Sequence, residues 1–144
     1  LATKLEALDR EIKKVPKNER KAMEKAFFLR PSFASDKQFR LVFLRAEYFD
    51  ATLAAKRMIA FFEAKLILFG EEKLGKRRIT LDDLSQEDIY STFHRQVFHL
   101  PKPGEQYVDS TGRPLFLINV KRITFDKSHV AARGFWHILL STVF

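Results

Sequence analysis

The chain has 144 residues, enough for one domain with a sizeable buried core, and no cysteine. That excludes a disulfide scaffold, a thiolate metal site and a cysteine nucleophile, and it fits a reducing compartment. Hydrophobic residues at 46% and charged residues at 31% describe a globular rather than a disordered chain. The formal net charge of +8 favours an anionic partner: nucleic acid, phosphoinositide or a membrane surface. That charge is spread evenly: residues 1–72 hold 15 basic and 11 acidic side chains, and residues 73–144 hold 11 and 7. Fifteen phenylalanines point to a large apolar interior or an apolar ligand cavity. No apolar run reaches the length of a membrane-spanning helix, and the charged first residues lack the apolar core of a signal peptide. The first residue is Leu, which suggests a processed chain or a fragment.

Leu5, Leu8 and Ile12 recur at helical spacing among charges, so residues 1–14 read as an amphipathic helix ended by Pro16. Asn18 is the expected cap of a second helix with Ala22, Ala26 and Leu29 on its apolar side, closed by Pro31. Ser35 and Gln38 have the spacing of a capping box ahead of a third helix carrying Phe39, Val42, Phe43 and Ala46. Asp50 is the expected cap of a fourth, with Ala54, Met58, Phe61, Phe62, Leu66 and Phe69 facing inward and Gly70 as its C-cap. Residues 1–75 are therefore predicted to form a small helical bundle.

The composition changes at the basic, glycine-interrupted run from Lys73 to Arg78, a plausible linker. Thr80 and Ser85 each precede an acid by three positions and should start short helices. Val97 to Leu100 and Leu115 to Val120 read as strands around a loop rich in proline and glycine. Ser128 opens a last helix with Ala131, Phe135, Ile138, Leu139 and Thr142 on one face. Two strands make no stable sheet, so residues 76–144 look like the opening of a larger domain. The expected fold class is mixed α/β, a helical bundle followed by the first strands and helices of an α/β domain incomplete at the C-terminus.

No glycine-rich phosphate loop, metal-ligand spacing, nucleophile elbow or nucleic-acid-binding pattern occurs. His94 and His99 straddle a change from helix to strand. The pairs Asp82-Asp83 and Glu87-Asp88 fit the first turns of helices, where they complement the dipole. An enzyme, a metal site and a cofactor are therefore not expected, and nucleic acid is an unlikely partner. Lys73, Lys76, Arg77 and Arg78 are the candidate contacts to anionic headgroups.

Two stretches share a resemblance. The first runs Phe39-Arg-Leu-Val-Phe-Leu-Arg-Ala-Glu-Tyr-Phe-Asp50 and continues into Ala54-Ala-Lys-Arg-Met58. The second runs Asp109-Ser-Thr-Gly-Arg-Pro-Leu-Phe-Leu-Ile-Asn-Val120. In their order and spacing they resemble the N-terminal helical module and the "D-x-x-G-R-P" hairpin of the CRAL-TRIO lipid-transfer family. The resemblance covers about Phe39 to the C-terminus. It implies a carrier that holds one hydrophobic molecule in a cavity between a mostly parallel sheet and a mobile helix, exchanging it between membranes without covalent chemistry. The lack of cysteine and of a signal segment favours a cytoplasmic localisation, with peripheral docking at membranes. Glu47-Tyr48 stands where inositide-binding members carry an Arg-Lys pair, so inositide specificity is not implied. Phe116, Ile118 and Val120 alternate on one strand face and are the candidate pocket residues. The residues before Phe144 are expected to be too few to close a cavity alone. The alternative reading is a membrane-recruiting or regulatory adaptor that moves no lipid.

Residue by residue, the motifs also have local readings. Phe43, Leu44 and Ala46 lock two helices together, while Phe49 and Asp50 supply a core contact and a cap. Arg45 is expected to form structural hydrogen bonds. Asp109 opens a turn, Gly112 takes a positive φ, Arg113 pairs with a carboxylate and Pro114 sets the start of the strand.

Overall fold

A computed structural model describes residues 2–90, 98–99, 107–113, 115, 117–118 and 133. The chain divides into two compact units, the first reaching Arg78 and the second running from Ile79 to Val143.

The first unit is a helical bundle of α1 (Ala2–Lys14), α2 (Lys21–Leu29), the one-turn α3 (Ser32–Ser35), α4 (Lys37–Ala46) and α5 (Ala51–Leu74). Helix α1 buries Leu5, Leu8 and Ile12 and ends on Lys13 and Lys14, whose charges suit the negative end of the helix dipole. Its last carbonyls need partners from outside the helix, and Arg20 Nη1 supplies one by donating to Ile12 O at 3.0 Å. Helix α5 packs against α1, α2 and α4. It buries Ala54, Ala55, Met58, Ile59 and Phe62, with Phe61 and Leu66 partly buried against the same core.

The phenylalanines fill this interior. Phe62 meets Phe27, Phe33 and Phe61 edge-on at centroid distances of 5.7, 5.5 and 5.1 Å. Phe39 packs on Phe33 at 5.0 Å and on Phe43 at 5.2 Å. Edge-on contacts set the positive ring edge against the negative face, adding about 0.5–1.5 kcal/mol per pair beyond the apolar area buried.

Several chain ends differ from expectation. Residues Lys17–Glu19 form a 3-10 turn, and α2 begins after Arg20 with no side-chain cap, so Asn18 caps nothing. Asp36, not Ser35, caps α4. Its Oδ1 accepts from Gln38 N at 2.9 Å and Phe39 N at 3.1 Å. Ser35 is used up in α3, where its hydroxyl donates to Ser32 O at 3.5 Å. Asp50 caps α5 as expected, accepting from Leu53 N at 2.9 Å. Gly70, with φ 72° and ψ −178°, breaks the helical path inside α5, a backbone position open to glycine and strained for other residues.

The described part of the second unit holds a 3-10 turn at Leu81–Asp83, α6 (Gln86–Ile89) and the strands β1 (Phe98–His99) and β2 (Leu117–Ile118). The strands pair antiparallel, Phe98 with Ile118 and His99 with Leu117. Ser85 and Asp88 form the predicted capping box, with bonds of 3.1 and 2.9 Å.

The mixed α/β expectation is corrected here. The described residues form a small all-helical fold, and their strand pairing amounts to a two-residue ribbon. The apolar runs at 97–100 and 115–120 suggested covered strands. However, antiparallel pairing across a proline- and glycine-rich loop is the geometry of a hairpin, whereas a parallel sheet needs crossover connections. The helix predicted after Ser128 lies outside the described residues, apart from Arg133.

Candidate functional site

The basic run emerges from the end of α5. Lys73 lies in its last turn, half-buried, while Lys76, Arg77 and Arg78 are exposed. Part of the run is already engaged inside the helical unit. Arg77 Nη1 pairs with Asp36 Oδ2 at 2.7 Å, and the Lys76 carbonyl accepts from the ammonium of Lys65. Asp36 thus serves two partners, the first turn of α4 and Arg77. The carboxyl is held below its usual pKa first by the Phe39 amide and then by Arg77.

Of the candidate pocket residues, Ile118 stands in β2, and Phe116 and Val120 lie outside the described residues.

The first motif folds into the α4–α5 turn. Phe43 and Leu44 are buried, while Arg45, Ala46, Tyr48, Phe49 and Asp50 are exposed. No glycine is available to end α4, so the chain turns through Tyr48 at φ 50° and Phe49 at φ 64°. Left-handed backbone costs a non-glycine residue about 1–2 kcal/mol. It is held by backbone hydrogen bonds from Phe49 N to Leu44 O at 2.7 Å and from Tyr48 N to Arg45 O at 3.2 Å. These bonds satisfy carbonyls at the end of α4 in the manner of a helix C-cap. Around the turn, Arg57 forms an ion pair with Glu47, and Lys4 Nζ donates to Phe49 O at 3.4 Å. Tyr48 projects into solvent at 95% exposure, with Leu53 at 47% and Phe49 at 37%.

The second motif builds a tight corner around Asp109. Its Oδ1 accepts from Thr111 N at 2.8 Å, Thr111 Oγ1 at 2.7 Å and Arg113 N at 3.0 Å, while Oδ2 accepts from Arg113 Nε at 2.6 Å. Gly112 takes φ 81°, and Leu115 N donates to Tyr107 O at 2.7 Å across the corner. Led by the Thr111 hydroxyl, all four hydrogen bonds favour the charged form against a smaller opposing effect of desolvation, and the Asp109 carboxyl is lowered to about 2. The turn, the positive φ and the Arg113 pairing are as predicted. Both oxygens of this carboxylate accept hydrogen bonds from its own loop, which makes Asp109 a fold-forming group.

Three features were not read from the sequence. Arg40 is buried, donating to Leu5 O at 3.1 Å and pairing with Asp9. Lys65 is buried beneath the Phe33 ring, its ammonium 5.4 Å from the centroid. Its position three after Phe62 and seven after Met58 places it on the inward stripe of α5, which was the signal available. The exposed aromatic turn is the third; the sign of it was an interhelical turn containing Glu47-Tyr48-Phe49 and no glycine.

Among the described residues no group of acidic or histidine side chains could hold a metal ion, and no helix is long and apolar enough to cross a membrane. No family model, no curated protein and no solved structure matches the chain.

Proposed function

We propose that this protein binds a lipid or other small hydrophobic molecule and transfers it between membranes, as a non-covalent carrier related to the CRAL-TRIO family. The observation that supports this reading is the way both resembling segments are built. Phe43 and Leu44 lock α4 into the core, Asp50 caps α5, and Asp109, Gly112 and Arg113 form a closed corner. Phe43, Leu44, Asp50, Asp109, Gly112 and Arg113 thus shape two defined turns as their local reading expects, whereas Ala46 and Phe49, expected to pack inward, are exposed. The reading rests on these turns and on no sheet. Peripheral attachment to membranes belongs to it, because a carrier must release its cargo into a bilayer rather than into water. Transfer of each methylene to water would cost about 0.8 kcal/mol.

The test takes the protein as its own transcript encodes it. Lipid extraction and mass spectrometry of the purified protein should find bound lipid at close to one per chain. Labelled lipid should then move between donor and acceptor vesicles at a rate that rises with protein concentration. A protein that carries no extractable lipid and speeds no transfer overturns the carrier reading. A second reading, a membrane-recruiting adaptor, is favoured by the exposed Tyr48 turn; it predicts vesicle binding with no lipid movement.

A further inference from the structure

The α4–α5 turn joins an exposed aromatic tip to a cationic rim. We propose that this turn is the membrane-docking tip of the protein, inserting Tyr48, with Phe49 and Leu53 beside it, into the interface of an anionic bilayer. The inference takes its class of partner from the lipid-carrier reading and its place in the molecule from local geometry.

The shape argues for a bilayer. A tip of three side chains on a convex helix–helix turn offers far less than the roughly 1,000 Å² that a stable protein interface needs. A fluid interface closes around such a tip, and an amphipathic tyrosine ring settles at headgroup level with its hydroxyl in water. The backbone argues for a fixed presentation. Tyr48 and Phe49 are both left-handed and both pinned by hydrogen bonds to α4, so the rings project from a rigid turn.

Charge complementarity argues for anionic lipid. Lys4 stands against the Phe49 carbonyl, Arg57 is tied to Glu47, and Arg45 and Lys56 are exposed in the flanking turns of α4 and α5. The carboxylates nearby already have partners: Glu47 has Arg57, Asp50 has the Leu53 amide, and Glu11, near Thr52, has Lys14 at 2.6 Å. The cations outnumber them. The basic run at Lys73 to Arg78 is the weaker place for docking, because Arg77 is engaged by Asp36 and no exposed aromatic ring stands within that run.

The experiment is co-sedimentation of the 144-residue chain with phosphatidylcholine vesicles, with and without phosphatidylserine. Binding should require phosphatidylserine. Tyr48→Asn removes the ring yet suits the left-handed backbone. Its thermal midpoint should therefore equal or exceed that of the parent, while its partition onto the anionic vesicles falls about fivefold or more. Lys56→Gln should lower partition about fivefold, the effect of one cation near an anionic surface. A parent chain that ignores anionic vesicles, or a folded Tyr48→Asn chain that binds as the parent does, overturns the proposal. Lipid transfer that does not depend on Tyr48 overturns the docking tip and leaves the carrier. Docking that depends on Tyr48, with no lipid transfer by the protein its own transcript encodes, overturns the carrier and leaves the tip.

Discussion

Up to Arg78 the buried side chains are overwhelmingly apolar, and the two polar ones, Arg40 and Lys65, are cations that reach backbone carbonyls. Among the described residues from Ile79 onward the buried polar groups are carboxylates, Asp83 and Asp88, each accepting from at least one neighbour close in sequence. Asp83 receives Thr80 N at 3.0 Å and its hydroxyl at 3.2 Å, and Asp88 also receives Arg133 Nε at 2.7 Å. The exposed Asp109 corner follows the same plan. The helical unit therefore depends on interlocked rings brought together from distant positions. The described second unit depends on carboxylates that organise short loops around themselves. Damage to the first should spread through a core, whereas damage to the Asp109 corner should stay within its own loop.

The largest effect should come from opening the ring cluster. Phe62→Ala removes a fully buried ring that touches Phe27, Phe33, Phe39 and Phe61, and should cost about 3–5 kcal/mol. Urea denaturation followed by far-ultraviolet circular dichroism would measure it; a loss below about 1 kcal/mol would mean that the rings are not a cooperative core. Next is Gly70→Ala. A Cβ there meets no atom within 4 Å, so the cost is that of the backbone alone, about 1–3 kcal/mol. A neutral outcome in the same titration would show that α5 can straighten through Gly70. Smaller still is Asp50→Ala, which removes the α5 cap and should cost about 1 kcal/mol, while Asp50→Asn or Asp50→Ser should recover most of it.

The smallest effect is set by pH. The Asp109 carboxyl is lowered to about 2 in the folded corner, from the ordinary 3.8. The stabilisation it brings is therefore present above the unfolded pKa and is lost as pH falls through about 2. The Thr111 and Arg113 amide resonances should hold their folded shifts through the usual carboxylate range and move only near pH 2. Asp109→Asn should leave them insensitive to acid. Movement centred near 4 would mean that the corner is open in solution.

Local signals in the sequence located most of the helical unit, because period and punctuation act over a few residues. The stripe Leu5, Leu8 and Ile12, the Asp50 cap and the Ser85–Asp88 box are all found where the sequence predicts them, while Gly70, the expected C-cap, is a kink inside a helix that runs on to Leu74. Expectation failed where two local rules competed. Ser35 and Asp36 are both good caps, and the choice fell to Asp36 because Ser35 was taken into the turn behind Pro31. It failed again where tertiary contact decides burial: Arg40 and Lys65 look like surface cations until a carbonyl is brought to them. The α/β expectation rested on apolar runs whose pairing direction no local pattern encodes. Of the candidate site, the Asp109 turn, the positive φ of Gly112 and the Arg113 pairing were legible, while Pro114 lies outside the described residues. Tyr48 was legible only as a departure from the family pattern, since exposure depends on what the rest of the fold leaves uncovered.

The ring cluster has an optical consequence. Phenylalanine is almost dark under the excitation that selects tryptophan, and Trp136, the sole tryptophan, belongs by sequence to the second unit. Indole emission is thus tied to a residue of the second unit, while among the described residues every helix longer than four residues belongs to the first. The chain has its own pair of independent reporters, so whether the two units melt together or apart can be read from one unlabelled sample by comparing the two curves.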